Sequence, residues 1–116
     1  MNKVRRGRAG EAVARKYLED NDFKVIKYNY FTRYGELDII ALNKNVISFI
    51  EVKTYHNQMM HPLYSITSAK QRHMWKTASY FLLRHKQYRQ LSYQFDIILV
   101  KYGQVTDHLK NVQLQG

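Results

Sequence analysis

Two consecutive apolar segments, separated by a very short polar turn, most strongly constrain how this chain can fold. Residues 36–42 and 46–54 are rich in apolar and β-branched residues, and only Asn43-Lys44-Asn45 lies between them. This pattern predicts a β-hairpin, because asparagine tolerates the left-handed backbone conformation that tight turns require. Successive positions in both segments are apolar, so the two strands are predicted to lie at the centre of a sheet that is covered on each side.

The remaining segments provide two helices and the outer strands. Apolar residues at helical spacing predict helices over residues 4–21 and 68–85. Further strands are predicted over residues 23–28, 93–101 and 104–109. Residues 29–35 are expected to form a loose connection, and residues 55–66 a loop. The predicted fold class is therefore α/β, with one mixed sheet flanked by helices on both faces.

Length and composition exclude several classes of protein. A chain of 116 residues that is 45% hydrophobic is expected to form one domain over residues 1–116. Cysteine is absent, which excludes disulfides and thiolate metal sites. No run of about 18 apolar residues is present, and the basic start lacks the apolar segment of a signal peptide. We therefore expect a cytoplasmic protein that does not enter a membrane.

The charge of the chain predicts a polyanionic partner. There are 19 Lys and Arg against 9 Asp and Glu, which gives a formal charge of +10. Such an excess favours nucleic acid as the partner, ahead of a membrane surface. The alternative is a basic surface that serves only solubility. Basic residues contact phosphates, and candidates are Arg5 and Arg8 at the start of the chain and Arg33 further on.

Two acidic residues, Asp38 and Glu51, lie inside the apolar strand segments. Ionised carboxylates are costly to bury without a partner. Facing side chains of a hairpin lie about 5 Å apart at Cβ, so these two carboxylates can share one divalent cation, for which Mg²⁺ or Mn²⁺ is suited. Lys53 projects from the same strand face as Glu51, because strand side chains alternate. The alternative is an ion pair between Lys53 and one of the acids.

This trio matches an arrangement that hydrolyses phosphate esters. The metal polarises the phosphoryl group and lowers the pKa of its bound water. The lysine orients or deprotonates that water, or stabilises charge in the transition state. By strand alternation Glu36 lies on the face of Asp38, where it either supports the metal or ends the strand in solvent. Asp96 is expected to be a buried hydrogen-bonding partner rather than a metal ligand.

Short motifs spread along nearly the whole chain carry a resemblance to a known family. The segments are Gly7–Glu11, Asn29, Gly35–Ala41, Phe49–Thr54, Lys70 with Ala78, Tyr80–Leu82 and Phe95-Asp96. They resemble the motifs of the YraN-type bacterial family. This resemblance implies the PD-(D/E)XK nuclease superfamily, similar to archaeal Holliday junction resolvases, and its restriction-endonuclease-like αβββαβ core.

The resemblance also implies roles for individual residues. Asp38, Glu51 and Lys53 match the catalytic positions of that superfamily, and Asp38 and Glu51 are its metal ligands. Glu11 matches an acidic residue on the first helix that points into the site. Lys70 or Gln71 matches a helix position that approaches phosphate.

The expected function is that of a Mg²⁺- or Mn²⁺-dependent endonuclease that hydrolyses phosphodiester bonds in DNA, branched DNA included. DNA is favoured over RNA. Resolvase-like members act as dimers, so the resemblance implies that this chain forms a homodimer. One alternative is a non-catalytic nucleic-acid-binding module that retains the nuclease fold. Another is a structural or partner-binding domain whose acids form internal ion pairs.

Overall fold

A five-stranded sheet with one helix on each face makes up the body of the protein. The computed structural model describes residues 3–55 and 66–114, with side chains from residue 9 onward. The elements in chain order are α1 (Lys3–Asp20), β1 (Lys24–Thr32), β2 (Gly35–Asn43), β3 (Val46–Thr54), α2 (Ser68–Arg84), a 3-10 turn (Lys86–Tyr88), β4 (Ser92–Lys101) and β5 (Gln104–Leu109).

The sheet is mixed, as the sequence predicted. Its strand order is β1-β2-β3-β4-β5, and all neighbours are antiparallel except β3 and β4, which are parallel. The parallel pair requires a crossover connection, and α2 lies in it. The α/β class with helices on both faces is therefore confirmed.

Each helix covers one face of the central strands, so the core has two halves. One half joins α1 to the sheet and consists of Ala14, Leu18, Phe23, Ile39, Ala41, Ile50, Ile98 and Val100. The other half joins α2 to the sheet and includes Leu37, Phe49, Met74, Phe81 and Leu99. Strands β2 and β3 contribute to both halves, which explains why their sequences are apolar at successive positions.

The connection between β1 and β2 differs from its prediction. Instead of a loose segment over residues 29–35, β1 continues to Thr32 and a two-residue turn follows, with Thr32 paired to Gly35. The Thr32 hydroxyl accepts the Tyr34 N–H at 3.1 Å, which stabilises the turn. Gly35 has a φ of +144°, a conformation that favours glycine.

Helix α2 begins where the sequence predicted. The hydroxyl of Thr67 accepts the backbone N–H of Lys70 at 3.1 Å and thereby caps the first turn. This cap fixes the start of α2 and the position of Lys70. Within the described ranges, no helix combines the length and apolarity needed to cross a bilayer.

Candidate metal centre

Carboxylates from three elements converge at one place in the fold. Glu11 lies on α1, Glu36 and Asp38 lie on β2, and one carboxylate oxygen from each lies within 4.8 Å of the other two. Glu51 of β3 adjoins them and lies close enough to Asp38 to form a hydrogen bond when one of the pair is protonated. Oxygen ligands at this spacing suit a hard divalent cation.

Asp38 reaches this place because β2 and β3 diverge there. The regular pairing of the two strands ends at Ile39 and Ile50. Beyond that point the backbone N–H of Val52 donates to Asp38 Oδ2 at 2.8 Å. The Asp38 carboxylate thus accepts a hydrogen bond that a backbone carbonyl of β2 would accept in a regular pair of strands. The gap between the two strands therefore forms part of the site.

Glu11 is brought over the sheet by the close approach of α1 to β3. The preceding residue, Gly10, packs so tightly on β3 that an added Cβ would overlap Thr54 Oγ1 and touch Val52. Only glycine allows this approach at an ordinary helical position. The helix can therefore place the Glu11 carboxylate beside Asp38.

Asn29 holds two of the carboxylates and was missed as a site residue by sequence reasoning, which identified it only as part of a family motif. It lies in β1 with a φ of +48°, a conformation that asparagine tolerates. With its amide oriented to satisfy its neighbours, its nitrogen donates to Glu11 Oε2 and to Glu36 Oε1, both at 2.9 Å. The sequence placed Asn29 in the loose connection after the strand predicted over residues 23–28, so its only signal was its place in the family motif.

Glu51 is only half satisfied by the protein. Its side chain is 9% exposed, and Oε1 lies 3.4 Å from Lys70 Nζ. Its second oxygen, Oε2, is buried without a hydrogen-bond partner among the described residues. A buried acceptor of this kind needs a proton, a water molecule or a cation as its partner.

Burial raises the pKa values of all four acids, and repulsion by a neighbouring carboxylate adds to the rise for Glu11, Glu36 and Glu51. Burial first, and then the charges of Asp38 and Glu36, raise the pKa of Glu11 to about 7. Burial followed by the charge of Asp38 raises the pKa of Glu51 to about 8, against the lowering effect of Lys70. Burial likewise raises the pKa values of Asp38 and Glu36. The site thus favours either protons or a metal ion.

The two candidate lysines have different surroundings. Lys70, expected to approach phosphate, forms the ion pair with Glu51. Lys53 is half-buried on β3, and its charge lowers the pKa of Glu51 less than that of Lys70 does. The neighbouring candidate, Gln71, donates from its amide to the Ile66 carbonyl at 3.2 Å.

The other predicted contacts lie elsewhere. Arg33 is in the β1–β2 turn and donates to the Tyr34 hydroxyl at 2.8 Å. Arg5 and Arg8 lie in α1, but the structure does not describe their side chains. Of the loop predicted over residues 55–66, positions 56–65 lie outside the described residues.

Asp96 is a fully buried acceptor. His108 donates to it at 2.8 Å, the Asn111 backbone at 2.9 Å and Gln94 at 3.0 Å, while the other ring nitrogen of His108 meets the Tyr17 hydroxyl at 2.9 Å. Burial raises the pKa of Asp96, but these hydrogen bonds outweigh it and lower the pKa below its usual value.

The fold has the element order helix, three strands, helix, strand. Acids from α1, β2 and β3 meet where β2 and β3 diverge. Together these features define a restriction-endonuclease-like α/β protein. The chain belongs to the uncharacterised protein family UPF0102, since a sequence model of that family matches residues 10–100. This is the YraN-type family that the motifs indicated.

Relatives in several bacteria carry the same family name. The UPF0102 protein of Helicobacter hepaticus is 35% identical over 114 residues, covering 98% of this chain and 99% of the relative. That of Caldicellulosiruptor saccharolyticus is 36% identical, covering 98% and 96%. That of Clostridium tetani is 38% identical, covering 87% and 83%. The similarity therefore extends over nearly the whole chain.

Proposed function

We propose that this protein is a Mg²⁺- or Mn²⁺-dependent endonuclease that hydrolyses phosphodiester bonds in DNA, branched DNA included. The observation that carries the proposal is the convergence of Glu11, Glu36 and Asp38 beside Glu51, whose second oxygen is buried without a partner. Repulsion between carboxylates at this spacing favours a bound cation or protons that compensate their charge.

The donor set fits a divalent cation in charge and in chemistry. Four acidic side chains and the ammonium groups of Lys53 and Lys70 together carry two uncompensated negative charges when all are ionised. One Mg²⁺ or Mn²⁺ neutralises them, and carboxylate oxygens are its preferred protein ligands. Asp38, Glu51 and Glu11 would hold the ion, and Glu36 adds a fourth carboxylate to the set proposed from the sequence.

Residues of the chain would divide the chemical work. When bound, the metal supplies Lewis acidity toward the scissile phosphate and an activated water. Lys53 is proposed to stabilise negative charge on the phosphate as the bond breaks, because it projects from β3 beside the acids. Lys70 is proposed to hold Glu51 in position through their ion pair. Asn29 fixes Glu11 and Glu36 through its amide.

A cleavage assay tests the proposal. Purified protein is incubated with single-stranded, duplex and four-way DNA in Mn²⁺ or in EDTA, together with the Asp38→Asn and Lys53→Ala variants. Cleavage is expected only with the metal, to be lost in Asp38→Asn and to be strongly slowed in Lys53→Ala. Glu19→Gln serves as the control because Glu19 lies on the exposed side of α1. Activity that persists in EDTA or in Asp38→Asn would refute the mechanism.

The two lysines can be separated in the same assay. Lys53→Ala is expected to reduce kcat without changing the Mn²⁺ concentration at half-maximal rate. Lys70→Ala is expected to raise that concentration, because Glu51 loses its charge partner. The opposite pattern would assign the reacting phosphate to Lys70.

The alternative is a nucleic-acid-binding module that retains the nuclease fold. The formal charge of +10 favours it as the second candidate. Salt-dependent DNA binding, with no cleavage of any substrate, would support it over the nuclease. A homodimer is also proposed, and light scattering after gel filtration measures it directly.

A further inference from the structure

The surface of α2 that faces away from the sheet belongs to a long stretch without acids. Between Glu51 and Asp96 the sequence has no Asp or Glu, and it has seven Lys and Arg. Four of these cations, Lys70, Arg72, Lys76 and Arg84, lie on α2. The helix therefore presents positive charge with no acid of its own to neutralise it.

Large apolar side chains are exposed between these cations. Trp75 is 52% exposed, Leu83 is 64% exposed and Tyr80 is 36% exposed. Trp75 is the only tryptophan in the chain. A side chain of this size is rarely left in solvent without a binding role when its neighbours are exposed and apolar too.

These side chains line two neighbouring hollows of the surface. A groove of about 470 Å³ is lined by Tyr34, Trp75, Lys76, Ser79, Tyr80 and Leu83. A second hollow, of about 340 Å³, is lined by Arg72, Trp75, Lys76 and Leu114. Trp75 and Lys76 line both, so the two hollows are neighbours on the surface of α2. We name the residues of the two hollows the aromatic strip.

Cations are already placed beside the rings of the strip. The Arg33 guanidinium lies 5.0 Å from the Tyr34 ring centre, and Lys76 Nζ lies 5.8 Å from the same ring. The Arg84 guanidinium lies 5.7 Å from the ring centre of Tyr80. Flat rings next to cations match the alternating bases and phosphates of a nucleic-acid strand.

The aromatic strip leads away from the candidate metal centre along one helix. Lys70, at the start of α2, contacts Glu51 in that centre. At 1.5 Å per helical residue, Trp75 lies about 8 Å and Leu83 about 20 Å further along the helix axis. At about 3.6 residues per turn, Trp75 and Leu83 also lie on the far side of the helix from Lys70, so a strand held at the metal centre would pass around the start of α2 to reach the strip.

We propose that the aromatic strip binds unpaired nucleotides of the DNA substrate, with bases stacked on Trp75 and Tyr80 and phosphates contacted by Arg72 and Lys76. Bases within a duplex are stacked on each other and cannot reach these rings. The preferred substrate would then carry a single-stranded segment beside the scissile bond. This inference rests on the proposed nuclease function for its link to the metal centre.

A second copy of the chain fits the strip less well. Two strips packed against each other would bring Arg72, Lys76 and Arg84 toward their own equivalents with no acid on α2 to pair with them. Like charges at an interface oppose association. Charge complementarity therefore favours a polyanion over self-association.

Binding is measured in EDTA, so that cleavage does not affect the result. A labelled 12-nucleotide oligothymidylate and a 12-base-pair blunt duplex are titrated by anisotropy at one salt concentration, and quenching of the single tryptophan is followed in parallel. We expect the single strand to bind at least tenfold more tightly and to quench Trp75. Equal affinity for both DNAs would overturn the inference.

Variants locate the contact. Trp75→Ala is expected to weaken single-strand binding by about tenfold, and Trp75→Phe to retain most of it, because stacking needs an aromatic face. Tyr28→Ala is the matched control, since Tyr28 is 45% exposed and has Arg15 at 5.0 Å from its ring centre, but lies on β1 outside the strip. Circular dichroism and melting curves confirm that each variant is folded.

The outcomes separate this inference from the nuclease proposal. Single-strand binding that depends on Trp75, in a protein that cleaves nothing, would support the strip and refute the nuclease. Cleavage by the natural protein, together with unchanged single-strand binding by Trp75→Ala, would support the nuclease and refute the strip. A concentration-dependent dimer lost in Trp75→Ala, without oligonucleotide binding, would assign the strip to self-association and overturn the inference.

Discussion

Replacement of Glu51 by glutamine should stabilise the metal-free protein. Glu51 is buried, its charge is opposed by that of Asp38, and its Oε2 has no partner among the described residues. Glutamine has nearly the same shape and carries no charge. It therefore removes the repulsion that the folded protein bears when no cation is bound.

The size of the effect follows from the pKa of Glu51, which burial and then Asp38 raise from 4.5 to about 8. At about 1.4 kcal/mol per pKa unit, the full difference between ionised and neutral forms approaches roughly 5 kcal/mol. This difference already includes the attraction of Lys70 for the ionised form. Burial of the polar glutamine amide in place of the neutral carboxyl subtracts about 1 to 3 kcal/mol. We expect a net gain of roughly 2 to 4 kcal/mol in the free energy of unfolding at pH 8.5.

The pH dependence has a definite sign. A carboxyl whose pKa is raised on folding contributes fully to stability below its unfolded pKa, and the contribution is lost as pH rises through the folded pKa. For Glu51 this window runs from 4.5 to about 8. The advantage of Glu51→Gln over the natural protein should therefore be small near pH 4.5 and should grow until about pH 8.

Thermal unfolding in EDTA and in Mg²⁺ measures these effects. At roughly 4 °C per kcal/mol for a domain of this size, the variant should melt about 8–16 °C higher than the natural protein in EDTA at pH 8.5. Mg²⁺ should stabilise the natural protein, by about 3 kcal/mol at a hundredfold excess over Kd, and the variant far less. Glu19→Gln should change neither value. A variant that is less stable in EDTA, or that keeps the full Mg²⁺ response, would refute this reasoning.

Three further predictions concern the supports of the site and the fold. Gly10→Ala should destabilise the protein by about 1 to 3 kcal/mol in urea unfolding, since its Cβ would displace Thr54 Oγ1, and added Thr54→Ala should restore part of the loss. Asn29→Ala should weaken Mn²⁺ binding about tenfold in calorimetry, because two carboxylates lose their shared donor; unchanged affinity would exclude this role. Asp96→Asn should lower the free energy of unfolding by about 3 kcal/mol. The lowered pKa of Asp96 stabilises the natural protein above the unfolded pKa of 3.8, and this stability, which is lost as pH falls, should be absent in the variant. A variant whose acid unfolding matches that of the natural protein would contradict the assigned hydrogen bond with His108.

The sequence was sufficient to predict the two central strands, and it singled out Asp38 and Glu51 as candidate site residues, for a physical reason. Segments buried on both faces must be apolar at successive positions, and residues 36–42 and 46–54 show this directly. Against such a background Asp38 and Glu51 are conspicuous, because burial of a charge needs compensation. The two-residue turn after Thr32 was not predicted, since it depends on contacts of the Thr32 hydroxyl rather than on a strong turn motif.

Residues whose roles depend on the meeting of distant segments were harder to identify. Asn29 lies in a strand and Glu36 at the start of the next, and neither pattern indicates that both lie beside Glu11 of α1. Lys53 was placed beside Glu51 by strand alternation alone. The ion pair of Glu51 with Lys70 requires the crossover that sets the start of α2 beside β3, and that packing is not encoded in local spacing.

The same structural feature creates the site and limits the sheet. Because β2 and β3 stop pairing at Ile39 and Ile50, the Val52 N–H becomes available to Asp38, and the opening exposes Glu51 to its acidic neighbours. A continuous ladder would satisfy the backbone but would leave no place for a clustered set of acids. The instability expected of the metal-free centre is therefore a direct consequence of its geometry, and this is why a change that stabilises the protein, such as Glu51→Gln, should remove its capacity to bind the cation.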